Sequence, residues 1–309
     1  MRLTFSSSVG IPKLNYPLFE DSEVETFNKL VLRACFTDSW ALNTWSSSRY
    51  RPNDSQYTRD VWMKDSMTDL GHASGHGRFV HLYYNGLYFG VHDLTERIED
   101  DWYAEHLGGR EEDWKVNKDH AVTEARSRWN AMTNLLSSNI TDNDVYEQVK
   151  DYIDLDNYID YMFLHFYADA EDWPAKNGYG AVNEISGDGK FRFQVWDQEI
   201  ALDKFSWNRY NSSSAAGGPF QRLRRNDEFL LLFADRVHKH MFNGGALSEG
   251  ESVKRYRKIA DEIDKAIVAE SARWGDTQDN TPYGNTASSS INIDADYYPP
   301  TLNNPIYFT

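Results

Sequence analysis

Apolar side chains recur at helical spacing between Asp156 and Tyr167. Ile159, Met162, Phe163, Phe166 and Tyr167 share one face there, which predicts a helix. Downstream the pattern shortens to a hairpin turning at Gly187-Asp188-Gly189, whose second strand, FRFQVW, delivers Asp197 at its carboxyl end. A second hairpin is marked by RFVHLYY and LYFGVHDL on either side of Asn85-Gly86. Asn-Gly between alternating runs is the strongest short-range hairpin signal, because both central residues must take positive φ. Upstream, RLTF reads as a strand, residues 20–30 as a turn or short helix, and LVLRACF as a buried strand bounded by polar segments. YTRDVWMKDSMTDLG has helical spacing at Tyr57, Val61, Met67 and Leu70, with Gly71 as its stop. Its Arg59-Asp60 pair is either a surface ion pair or an inward polar contact.

Further helices are predicted near 123–137 and 142–151, as two amphipathic segments around Asn226, and over a long stretch after Ser248. Ser248 and Glu251 have the spacing of a capping box. Residues 100–130 are acidic and rich in Trp, with a break at Gly108-Gly109. SWNRYNSSSAAGGPF reads as a mobile small-residue loop. From residue 276 onward the chain is rich in Asn, Thr, Ser and Pro without periodicity and reads as a tail or linker.

The predicted order around Asp172 is helix, carboxylate, carboxamide, hairpin, carboxylate. Asp172 and Asn177 lie in the loop after the helix, with D-x-x-x-x-N spacing, and Asp197 ends the following hairpin. A magnesium-dependent phosphoryl-transfer site has this order: one acid orients a hydroxyl, an amide oxygen enters the metal shell, and a later acid holds the metal. Magnesium takes hard oxygen donors and keeps waters, so few protein ligands suffice. By itself the spacing is weak, since Asp and Asn also fill turns. His72 and His76 sit in the glycine-rich GHASGHG segment. A metal site there requires a third ligand, and no HExxH helix is present, so a flexible turn is the simpler reading. Glu96, at the exit of the second hairpin strand, can bind nucleotide, pair with a cation or cap a turn.

Composition narrows the alternatives. The chain has 309 residues and a net charge of −16, which disfavours duplex nucleic acid as a partner because phosphate binding needs clustered Lys and Arg. No run of eighteen apolar residues is present, so no membrane span is expected. The single cysteine, Cys35, excludes an internal disulfide and a cysteine metal cluster. The high Trp and Tyr content admits a carbohydrate-active enzyme with two carboxylates, such as Asp172 and Asp197, although aromatic core packing is the commoner use.

The segments LVLR (30–33), GRFVHLYYNGLYFGVHDLTERIED (77–100), DLDNYIDYMFLHFYADAEDWPAKN (154–177), FRFQVWDQE (191–199) and FQRLRRNDEFLLLFADRVHKHMFNGGALSE (220–249) together resemble the CotH kinase family, the spore-coat protein H group of atypical kinases. The resemblance runs along nearly the whole chain, and N-G-x-Y-x-G, D-W-P-x-x-N and W-D-x-E are specific in combination. It implies an α+β, two-lobed protein-kinase-like fold, with a β-rich lobe over 1–100, incomplete at its start, a mostly helical lobe over 101–275, and a linker beyond 276 toward a further domain. It implies ATP with Mg2+ or Mn2+ as cofactors, a protein hydroxyl as acceptor, and an exported, extracellular or cell-surface parent protein. Carried over, Asp172 matches the catalytic acid, Asn177 and Asp197 the metal ligands, Glu199 a further metal-site acid, and Glu96-Arg97 the nucleotide-binding L-x-E-R segment. The family's phosphate-contacting lysine has no counterpart here, and Lys13, which follows Pro12, does not fit the role. That departure leaves a catalytically weakened, kinase-like surface or binding module as the alternative.

Overall fold

The computed structural model describes residues 1–40, 55–118, 124–203 and 208–274. The predicted tail beyond 276 lies outside the described residues, as do parts of the segments following Trp40 and Asp203. A four-stranded antiparallel sheet is built from β1 (Arg2–Thr4), β4 (Lys29–Arg33), β5 (Gly77–Tyr84) and β6 (Leu87–Glu96) in the order β1-β4-β6-β5. The hairpin β5–β6 turns where expected: Asn85 has φ 49° and Gly86 φ 80°, the pair of positive values that a two-residue turn needs to follow strand twist. Residues 20–30 contain no helix. They hold β3 (Thr26–Phe27), which pairs with β2 (Leu14–Asn15), and the start of β4.

Helix α1 (Arg59–Asp69) lies between β4 and β5 in the chain and ends before Gly71, whose φ is 97°. Its buried residues are Trp62, Met63, Ser66 and Met67 together with Arg59, Asp60 and Lys64. The helix therefore buries a charged strip, which apolar spacing does not reveal. Two elements arise in the acidic, Trp-rich segment: α2 (Asp100–Leu107) and β7 (Trp114–Lys118). Tyr103 stacks on Trp114 at 5.1 Å, so aromatic packing holds this segment in place. β7 pairs with β8 (Tyr179–Asn183), and β8 with β9 (Arg192–Gln194).

The largest core surrounds α5 (Leu155–Tyr167). The predicted helix is present, but it is buried on more than the predicted face: Tyr158, Ile159, Tyr161, Met162, Leu164 and His165 are all inaccessible to solvent. Each such apolar side chain contributes ~1.5–3 kcal/mol. The side chain of Asp154 caps its first turn by accepting from the Asn157 amide. Around it lie α3 (Arg126–Ser137), α4 (Asn143–Val149), α6 (Gly217–Leu223) and α7 (Asp227–Met241), with α6 and α7 separated at Asn226, which caps α7. The last helix, α8 (Glu249–Trp274), crosses back to the first sheet and packs on β6, β5 and α1. Glu270 on α8 accepts from the Val91 amide at 2.6 Å and from the Tyr57 hydroxyl at 2.9 Å. None of the helices among the described residues is long and apolar enough to cross a membrane.

Candidate active site

The segment Trp196 to Glu199, directly after β9, is pinned from three sides. From α1, the Asp60 carboxylate accepts the Gln198 amide at 2.7 Å. From the loop after α5, the Asn177 side-chain amide donates to the Asp197 carbonyl at 2.8 Å. From β4 and the residues after it, Arg33 reaches the carboxylates of Asp197 and Glu199, while Thr37 donates to Glu199 through its amide and its hydroxyl, both at 2.8 Å. The loop before Asp172 is held alongside, with the Glu171 amide donating to the Ile200 carbonyl and the Leu202 amide to the Ala168 carbonyl. Trp173 anchors that loop in the core: its indole N–H donates to the Tyr161 hydroxyl at 2.7 Å and its ring stacks on buried His165. The bond between Trp173 and Pro174 is cis.

These constraints open one cleft of about 470 Å³. Asp172, Lys176, Asn177 and residues 197–200 line one wall, and residues 31–37 line the other. Asp172, Asn177, Asp197 and Glu199 thus share a single cavity, although 27 positions separate the first from the last. Asn177 and Asp197 both adopt left-handed backbone, with φ 58° and 56°. Non-glycine residues rarely do so, and such conformers cluster where a side chain must be aimed.

Two of these acids differ in environment. The Asp197 side chain is 40 % exposed, whereas that of Glu199 is 7 % exposed and is already engaged by Arg33 and Thr37. Glu199 therefore positions Arg33 and the 35–37 segment, and Asp197 is the more open of the two to the cleft. Behind them lies a buried charge cluster that spacing did not reveal. Arg33 pairs with Asp60 at 3.4 Å as well as with Asp197 and Glu199, and Lys64 pairs with Asp60 at 2.7 Å and with Asp93 at 3.5 Å. Burial would lower the Arg33 guanidinium, but Asp60, Glu199 and Asp197 outweigh it and hold it well above its ordinary value. Burial likewise opposes ionisation of Asp60, yet Lys64 and Arg33 bring it down to about 2. Asp93 moves the other way, raised mainly by burial. The guanidinium of Arg33 also lies over the Trp196 ring, 5.2 Å from its centroid.

The donor set suits a hard dication. Asp197 and Glu199 converge on one guanidinium nitrogen of Arg33, so their oxygens already share a single positive centre. Of the acids that meet Arg33, Asp197 and Glu199 line the cleft with Asp172, so three carboxylates face it. Oxygen ligands with net negative charge are what magnesium or manganese takes.

Glu96 and Arg97 do not line the cleft. The Glu96 carboxylate is buried and accepts from the His76 amide, with His76 and His106 imidazoles at 3.0 and 2.8 Å. Arg97 also lies near Trp196, 4.8 Å from the ring centroid, and pairs with Glu99. His72, the other histidine of the glycine-rich segment, contacts Asp160 at 2.7 Å. Lys13 pairs with Glu105 at the surface and is absent from the cleft. The residue that sequence reasoning passed over is Arg33. Its signal was a lone cation closing the apolar run LVLR, and the matching acid, Asp60, was left open as an inward contact.

No curated protein matches this chain. The sequence profile described as CotH kinase protein does match, over residues 11–294. That span covers most of the chain, and the protein belongs to the CotH kinase family.

Proposed function

We propose that this protein transfers the terminal phosphoryl group of ATP to a protein hydroxyl in a divalent-metal-dependent reaction. The observation that carries the reading is the meeting of Asp172, Asn177, Asp197 and Arg33 in one cleft. Asp197 and the side-chain oxygen of Asn177 would hold the magnesium, with Glu199 behind them fixing Arg33. A dication there offsets negative charge on the phosphate oxygens. The strand-borne lysine of protein kinases, which pairs with an acid on the following helix, has a chemical counterpart in Arg33 on β4, paired with Asp60 on α1. Arg33 would contact phosphate, and a guanidinium can do so through two N–H groups at once. Asp172 would accept the proton of the acceptor hydroxyl as its oxygen bonds to the γ-phosphorus and the bond to the ADP oxygen breaks. Arg97, which lies against Trp196 just before Asp197 in the chain, is the nucleotide-side candidate.

The test is a pair of variants. Asp197→Asn should abolish metal-dependent ATP binding, and Asp172→Asn should leave binding intact while removing phosphoryl transfer to a protein acceptor. Unchanged ATP affinity in the Asp197 variant sinks the assignment. One observation favours the second reading, a kinase-like binding module without transfer: Arg33 already engages the carboxylates of both Asp197 and Glu199. The absence of any thermal shift at millimolar ATP with Mg2+ or Mn2+ favours this module, since a ligand stabilises only a protein that binds it.

A further inference from the structure

His76 precedes β5, Glu96 ends β6, and His106 lies in the last turn of α2. The fold brings one ligand atom from each of the three within 4.8 Å of the others. His76 Nδ1 stands 3.0 Å from one Glu96 carboxylate oxygen and His106 Nε2 stands 2.8 Å from the other. From these positions we infer that His76, Glu96 and His106 form a second metal site, for a transition-metal dication of the zinc class, apart from the magnesium cleft.

Four observations support it. The donor set is two imidazole nitrogens and one carboxylate, which suits zinc and its neighbours in the first transition row and is a poor match for magnesium or calcium. The geometry is close: bonds of about 2.0–2.1 Å to zinc place neighbouring ligand atoms about 3.3–3.4 Å apart, so each N···O pair here opens by about half an ångström at most. The ligands are sheltered, with side-chain exposures of 11 % for His76, 2 % for Glu96 and 8 % for His106. They are also preset. Phe19 stacks on His76, His76 on His106, and His106 on Trp102, so both rings are held between aromatic faces. The backbone of His76 is fixed as well, because its amide donates to Glu96 and its carbonyl accepts from the Glu96 amide and the Thr95 hydroxyl. Rigid support of this kind is what keeps ligands at bonding distance.

None of the three ligands lines the cleft that holds Asp197. The site ties the root of the β5–β6 hairpin to α2. It cross-links three elements that otherwise meet through side-chain packing and hydrogen bonds alone.

The experiment uses the full chain, stripped with chelator and carrying Asp197→Asn so that the cleft cannot contribute. Zinc is titrated against a chromophoric chelator, and thermal melts are recorded with and without one equivalent. We expect one tight equivalent, a higher melting temperature with zinc, and at least a hundredfold weaker binding in His76→Ala or His106→Ala, with the zinc-induced stabilisation lost. Co2+ added to the same chain with both histidines intact should show the d–d absorption of a low-coordinate nitrogen–oxygen site, a readout that does not depend on the variants folding. Undiminished zinc affinity in both histidine variants overturns the proposal. So does the absence of a stoichiometric zinc equivalent or of the Co2+ bands.

Discussion

Replacing Arg33 by Met tests the charge cluster directly. Methionine keeps length and apolar contact with Trp196 but removes the cation shared by Asp60, Asp197 and Glu199. The Arg33 side chain is 10 % exposed, and Asp60 and Glu199 are 3 % and 7 % exposed. These two buried partners carry most of the effect, because Asp197 is half open to water and its share is screened. Removing one member of a buried ion-pair network costs about 3–5 kcal/mol, largely through the charges left unpaired. For a chain of this length, where 1 kcal/mol moves the midpoint by about 2 °C, the melting temperature should fall by roughly 6–10 °C. Adding Asp197→Asn to Arg33→Met should recover part of the loss, since one of the three facing acids is then neutral. Differential scanning calorimetry in chelator reads all three proteins. Mg2+ should stabilise Arg33→Met more than the parent, because the vacated carboxylates gain more from a dication. If Arg33 also contacts phosphate, the variant binds ATP roughly ten- to a hundredfold more weakly, as loss of a charge-assisted bond of about 1.5–3 kcal/mol requires. A melting temperature within about 1 °C of the parent, with no added response to Mg2+, refutes the cluster as described.

Three further outcomes are expected. Glu96 is lowered from 4.5 to about 2, against its burial, by hydrogen bonds from His106 and His76. Its stabilisation is fully present above pH 4.5 and is lost as the pH falls toward 2. It amounts to on the order of 3 kcal/mol, so urea titrations in chelator across that window should show a shallower pH dependence in Glu96→Gln. The buried amide of Asn157 spans the backbone of Phe193, donating to its carbonyl at 3.1 Å and accepting from its N–H at 2.6 Å. Asn157→Ala should cost roughly 2–4 kcal/mol by urea denaturation, as two buried backbone groups lose their partner, and should loosen the strand leading to Asp197. Gly90 has φ 130°, and a Cβ there would meet Glu270 Oε2 at 2.8 Å. Gly90→Ala should therefore destabilise by roughly 2 kcal/mol from backbone strain and crowding, read as a lowered midpoint in the same assay.

Both hairpins, α5 and the split at Asn226 were legible because each rests on local chemistry: Asn-Gly and Gly-Asp-Gly turns, apolar spacing, a cap. Asp172, Asn177 and Asp197 were picked out as a set by their order along the chain, and the fold brings all three to one cleft. The charged strip on α1 was not, since Arg59, Asp60 and Lys64 look like a solvated face until β4 and β6 supply Arg33 and Asp93. The triad of His76, Glu96 and His106 was hidden for the same reason. His76 was considered as a metal ligand and set aside for want of a third partner, and α2, which brings His106, was not predicted. Likewise α8 reads as an ordinary amphipathic helix, and its return to the first sheet depends on Glu270 meeting Tyr57 and Val91 across about 180 to 210 positions.

The left-handed backbone at Asn177 and Asp197 has a consequence for any mutational survey of this protein. Asparagine and aspartate tolerate that conformation, whereas other L-residues incur roughly 1–2 kcal/mol there. An alanine scan through these two positions would mix a conformational penalty with the loss of a ligand, and would overstate their chemical role. Exchange between the two amino acids, Asp for Asn or Asn for Asp, isolates the charge from the geometry.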